Sequence, residues 1–165
     1  MKNKSTLFLV QAAMIGAIYV VLTVVFAPIS FGEVQIRFAE ALTILPFFTS
    51  AAVPGLFVGC LIANILGGAI LPDIIFGSLA TLIGAVGTYL LRKQSRYLAP
   101  VPPIVANVLI VPFVLRYGYG VNLPIPLMML TVGAGEVISA GVIGLILLNV
   151  LYKNRKKIFG ETLAE

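Results

Sequence analysis

Histidine is absent from this 165-residue chain, cysteine occurs once, and charged side chains number only 17, with 11 Lys and Arg against 6 Asp and Glu. Without His the commonest general base and the commonest transition-metal ligand are missing, and no Ser–His pairing can activate a nucleophile. Gly77-Ser78 is accordingly no nucleophile elbow. The single Cys60 admits neither a disulfide nor a thiolate metal cluster. No G-x-x-x-x-G-K-[ST] phosphate loop is present, so the chain hydrolyses no nucleotide by that route. These absences argue against an enzyme and against a resident metal or cofactor.

What the chain has in abundance is apolar length. It is 60% hydrophobic with a mean hydropathy of +1.10, which leaves too little polar surface to cover a soluble core. Apolar stretches predict helices at about 7–27, 36–49, 53–67, 72–91, 103–117 and 127–151. A spanning helix needs about 20 residues, which the first, fourth and sixth meet; the others are short enough to tilt or to start in re-entrant loops. The expected fold is an all-α membrane protein, with six transmembrane helices in a compact bundle forming a single domain over 1–165. The apolar core of the first segment is about 21 residues long, beyond the roughly 7–15 of a signal peptide, so it reads as a helix that stays.

Nine of the 11 basic residues fall in three places: Lys2 and Lys4; Arg92, Lys93 and Arg96; and Lys153, Arg155, Lys156 and Lys157. With six helices these places share one side, and the positive-inside rule makes that side, and both termini, cytoplasmic. The basic pI is then a topology signal facing the lipid bilayer, not a nucleic-acid footprint. Pro46 and Pro54 bracket a turn on the same side.

Small residues recur at four-residue spacing. Ala13 and Ala17, with Gly16 adjacent, and Ala12 with Gly16, mark the first helix for close backbone approach, either to a neighbouring helix or to a partner membrane protein. Gly55, Gly59, Ala63 and Gly67 form the longest such stripe and read as internal packing. Gly133, Gly135, Ser139, Ala140 and Gly144 surround Glu136.

The few charges away from the ends need a reason, because ionisable groups at membrane depth are expensive. Glu33, Gln35, Arg37 and Glu40 cluster at the start of the second helix. On an α-helix Glu33, Arg37 and Glu40 would share one face and could neutralise one another, or Glu40 could face a cavity. Glu136 lies roughly 14 Å into the sixth helix, near the midplane, so Arg37, Arg116 or a bound cation must answer it. Asp73, after Pro72, reads as the N-terminal cap of the fourth helix, where a carboxylate meets the helix dipole and free N–H groups. Asn64 and Asn107 could bond between helices or to a ligand. Tyr117 and Tyr119, between flexible glycines, could anchor at the interface or cover a flat aromatic ligand. Four acids against two arginines leave the outer half at net −2, favouring a cationic ligand or one rich in N–H donors, such as a guanine-like edge.

Three runs carry a resemblance: FAPISFGEVQIRFAEALTILPFFTSAAVPGLFVGCLIANILGG, DIIFGSLATLIGAVGTYLLRK and LAPVPPIVANVLIVP. From about Ala17 to Leu148 the chain closely resembles the QueT family of queuosine-precursor transporters, the substrate-binding S components of energy-coupling factor (ECF) transporters. The resemblance implies a multi-pass protein of a prokaryotic cell membrane that binds a micronutrient near the outer face. It implies partnership with a shared membrane scaffold subunit and two cytoplasmic ATPases, docked through the face bearing Ala13 and Ala17, with Gly16 adjacent. The implied ligand is a 7-deazaguanine, such as the aminomethyl precursor or queuine. Depth and charge then nominate Glu40 and Glu136, one for the N–H edge and one for the amine, near Arg37, Asn64 and Asn107, with stacking from Phe38, Tyr117 or Tyr119. The alternatives are an S component for another vitamin, such as thiamine or a flavin, and an autonomous cation-coupled secondary transporter.

Overall fold

Long runs of Leu, Ile, Val and Ala with few interior breakers form helices, and in this computed structural model every regular element among the described residues is helical. Residues 4–30, 37–155 and 158 are described, with the backbone alone for 29 and 30. Glu33 and Gln35 lie outside them. The helices are α1 (Lys4–Val25), the short α2 (Ala27–Ser30), a 3₁₀ segment (Phe38–Phe47), α3 (Ala52–Leu66), α4 (Leu71–Leu91), a 3₁₀ turn (Arg96–Leu98), α5 (Val101–Phe113), α6 (Ile125–Glu136) and α7 (Gly144–Lys153). Pro102 and Pro103 sit in the first turn of α5, where a missing N–H costs nothing. Pro112 removes a ladder donor near its end, and the chain continues as a π turn, Val114–Gly118. A second π segment, Val137–Ile143, joins α6 to α7.

Among the described residues four helical stretches are long and apolar enough to cross a membrane: Lys4–Val25, Leu71–Leu91, Arg96–Gly118 and Ile125–Lys153. The remaining two expected segments, 36–49 and 53–67, are helical but short, at Phe38–Phe47 and Ala52–Leu66. The first of these corrects the α-helical reading. It is a ten-residue 3₁₀ helix, preceded by Arg37 in an extended conformation. Ala39 to Pro46 are all buried, because α1, α4, α7 and the second π segment surround them. An element enclosed on every side has no need of an amphipathic face.

Small residues let the backbones close on one another. A Cβ on Gly55 would lie 2.6 Å from the Ala12 carbonyl oxygen, and one on Gly59 would lie 2.9 Å from Gly16 Cα. This seam joins α1 to α3. Gly84 and Gly87 likewise admit Pro103 and Pro102 between α4 and α5. The outer surface is apolar, with Leu9, Leu66, Leu90 and Leu130 all more than 60% exposed, while Glu40, Asn64, Asp73 and Glu136 are buried. Apolar outside and polar inside is the arrangement that hydrocarbon solvent selects.

The bundle has two distinct ends. Phe47 meets Tyr152, Arg96 and Arg155 cover the Tyr152 ring, and Thr49 bonds Gln11. The basic turn 92–96 and the basic C-terminal helix therefore share one end. At the other end Arg37 reaches Asp73, and Tyr119 bonds Asp73.

Candidate ligand-binding site

Two polar groups occupy the interior, and both begin at the start of the 3₁₀ segment. The first lies toward the end that carries Tyr119. The Arg37 guanidinium, 6% exposed, donates to Asn64 Oδ1 at 3.4 Å and pairs with Asp73 Oδ2 at 3.5 Å. Asn64 Nδ2 donates to the Asp73 carbonyl at 3.3 Å, binding α3 to the first turn of α4. Gly77 leaves room for this carboxyl, since a Cβ there would lie 2.8 Å from Asp73 Oδ1. The expected capping role of Asp73 is thus corrected: Ile70 is the N-cap, without a side-chain cap, and the Asp73 carboxylate serves Arg37 and Tyr119. Its place in the first turn still suits the helix dipole. The Tyr119 hydroxyl donates to Asp73 Oδ2 at 2.9 Å. Burial first, then the negative charge of Asp73, pushes this phenol up to about 12.

The second group is deeper. Glu40, 1% exposed, accepts from the Tyr19 hydroxyl of α1 at Oε1, and Thr81 Oγ1 of α4 approaches the same oxygen at 3.5 Å. Its own backbone carbonyl accepts from the Thr43 hydroxyl at 2.6 Å, which follows from the three-residue repeat of a 3₁₀ helix. Glu136 closes α6, where the π segment begins, and is 5% exposed. Asn107 of α5 stands beside both carboxyls. Three polar atoms here have no hydrogen-bond partner: Glu40 Oε2, Glu136 Oε2 and Asn107 Nδ2. Asp73 Oδ1 in the first group is also open. Native interiors satisfy most buried polar atoms, so a cluster of open ones makes this interior the candidate site.

Five of the residues nominated from sequence, Arg37, Glu40, Asn64, Asn107 and Glu136, thus fall into this buried polar interior. Tyr119 joins it through Asp73. Phe38 meets Phe26 in a tilted pair, at 4.7 Å between centroids, and Tyr117 stacks on Phe113 and is 78% exposed. Tyr117 belongs instead to an apolar groove of about 470 Å³, lined by Pro72, Phe76 and Phe113 among others. The Arg116 guanidinium donates to the carbonyls of Val121 and Leu123, closing its own loop, so it does not answer Glu136. Gly16 is buried in the α1–α3 seam, whereas Ala13 and Ala17 are exposed on the other face of α1. Sequence reading missed Tyr19 and Thr81 as partners of Glu40. Among the described residues no group of His, Cys, Asp and Glu has the arrangement of a metal site.

A protein from Lactococcus lactis subsp. cremoris (strain MG1363), described as queuosine precursor transporter QueT, is 35% identical over 85 residues, a stretch covering 50% of each chain. The similarity thus spans about half the length of that relative. No solved structure matches. The described family model, QueT transporter, matches residues 9–153, nearly the whole helical bundle in which Arg37, Glu40, Asn107 and Glu136 meet, and the chain belongs to the QueT transporter family.

Proposed function

We propose that this chain is the substrate-binding S component of an ECF transporter and takes up a queuosine precursor, a 7-deazaguanine base such as the aminomethyl precursor or queuine. The observation that carries this reading is the pair of buried carboxyl oxygens, Oε2 of Glu40 and of Glu136, left open beside Asn107. Acceptors without partners in a dry interior suit a ligand rich in N–H donors, and a deazaguanine is such a ligand. The name of the Lactococcus relative agrees with it. Arg37 holds Asp73 and Asn64 beside the site, and Tyr119 ties the loop that follows α5 to the same carboxylate.

In this reading six helical segments cross a prokaryotic cell membrane, with 38–47 and 52–66 as the short members and both termini on the cytoplasmic side. The Tyr119 end then faces outward and takes up substrate. Ala13 and Ala17 face a scaffold subunit, and two cytoplasmic ATPases supply the energy that no motif in this chain supplies.

The test is mass spectrometry of the small molecule that co-purifies with the chain from cells, followed by uptake measurements in liposomes. A deazaguanine in the preparation, and uptake only when scaffold and ATPases are added, is the expected outcome. A co-purifying thiamine or flavin would replace the substrate, and uptake by the chain alone would replace the S-component assignment with a secondary transporter.

A further inference from the structure

The deep cluster carries more information than its charge. Glu40 and Glu136 each leave one acceptor oxygen open, and Asn107, beside both, leaves a donor open. The three come from different elements, namely the 3₁₀ segment, α5 and the end of α6, and the contacts of the 3₁₀ segment and of α5 with the π segment after Glu136 bring them together. Glu40 is held in place because Tyr19 and Thr81 both engage Oε1, which leaves Oε2 as its free atom. Between two carboxyls, the electrostatically favoured orientation of the Asn107 amide presents its N–H₂ side.

We propose that Glu40 Oε2, Asn107 Nδ2 and Glu136 Oε2 form one acceptor–donor–acceptor row, and that this row selects an unsubstituted donor–acceptor–donor face of the ligand. On a guanine-type base that face is the exocyclic 2-amino group, the ring nitrogen N3 and the N9–H. The opposite edge fits worse. It runs O6, N1–H and 2-amino, and would set the carbonyl oxygen against a carboxylate. A sugar or methyl group at N9 removes one donor and adds bulk where Oε2 is already buried. The row therefore makes Asn107 a specificity-determining residue that admits free bases and rejects nucleosides. It also gives both carboxylates to one ring face, in place of one for the edge and one for an exocyclic amine. The inference rests on the binding reading above and adds a face and a selectivity to it.

Calorimetric titration of the purified full chain in detergent tests the row with four probes. The probes are 7-deazaguanine, its 9-methyl derivative, 7-deazaguanosine and 2,6-diaminopyridine, which carries a bare donor–acceptor–donor face without the base. The 9-methyl derivative and the nucleoside are expected to bind about 100-fold more weakly than 7-deazaguanine or worse, since a donor-reading site leaves buried groups unpaired when the donor is gone. The variant Asn107→Asp, which sets a third acceptor against N3, is expected to lose at least about 10-fold for both 7-deazaguanine and 2,6-diaminopyridine. Equal affinity for 7-deazaguanine and its 9-methyl derivative overturns the row and leaves the transporter reading standing. Binding of 2,6-diaminopyridine that depends on Asn107, with no binding of 7-deazaguanine, keeps the row and overturns the deazaguanine reading. Binding of neither probe overturns the row. If Asn107→Asp does not fold, the comparison of ligands on the unaltered chain decides.

Discussion

The Tyr19 hydroxyl of α1 donates to Oε1 of Glu40 on the central 3₁₀ segment, and this bond fixes which carboxyl oxygen is left open. Removing it in Tyr19→Phe leaves only the 3.5 Å approach of Thr81 to that oxygen. The bond is present with and without ligand, so its loss is expected to lower affinity only through the freedom that Glu40 gains, by about 0.5–1.5 kcal/mol, the ordering of one side chain. The ring still fills its place in the α1 core, so the fold survives. Titration calorimetry beside a thermal unfolding curve checks both halves. Unchanged affinity would show that Tyr19 only packs.

Glu40→Gln and Glu136→Gln each replace an open acceptor by an amide of nearly the same shape. Each is expected to weaken 7-deazaguanine binding by about 10-fold, as loss of a buried hydrogen-bond acceptor implies. If both variants bind as tightly as the unaltered chain, neither carboxylate contacts the ligand.

How much of this site could be read in the sequence depends on what made each residue conspicuous. Arg37, Glu40, Asn64, Asn107 and Glu136 interrupt apolar runs, and a polar residue in such a run needs a partner. Their partners were not legible. Sequence spacing favoured Arg37 with Glu40 on one α-helical face, but Arg37 is extended, the segment after it is 3₁₀, and the guanidinium reaches Asp73 on α4. Tyr19 and Thr81 meet Glu40 from helices 21 and 41 residues away along the chain, a separation that no local pattern encodes. The seam of α1 was half legible. Its small residues announced close approach, but Ala13 and Ala17 point away from the face that Ala12 and Gly16 share.

That seam gives a stability prediction. A methyl at Gly55 meets the Ala12 backbone at 2.6 Å, and backbone cannot yield as a flexible side chain can. Gly55→Ala is expected to cost about 1–3 kcal/mol through overpacking. Gly141→Ala, whose nearest atom is a Val137 methyl at 3.7 Å, is the control and is expected to be near neutral. Thermal unfolding in detergent compares them, and equal melting temperatures would refute the close approach.

The bond from Tyr119 to Asp73 makes a pH prediction. The phenol is raised from 10.0 to about 12, so its proton is present throughout the neutral range. With the folded value above the unfolded one, its contribution is complete below about pH 10 and is lost only as pH rises toward 12. Ligand affinity is therefore expected to show no change from Tyr119 between about pH 6 and 9. Tyr119→Phe should lower affinity by the same factor at each pH in that range. A Tyr119-dependent titration near neutrality would contradict the assignment.

Ala13 and Ala17 are exposed, one helical turn apart, on the face of α1 opposite its seam with α3. If that face meets a scaffold subunit, bulk there should block assembly without touching the interior, because the buried side of α1 is carried by Ile15, Gly16 and Tyr19. Ala13→Leu with Ala17→Leu is expected to leave 7-deazaguanine affinity and thermal stability within about 0.5 kcal/mol of the unaltered chain, as surface substitutions do. The same pair is expected to abolish co-purification of the scaffold and ATPases, and with it uptake by cells. Small residues permit backbone approach that a leucine side chain prevents, so the loss should be nearly complete even though no polar contact is removed. Intact co-purification with the doubly substituted chain would move the docking surface elsewhere on the bundle.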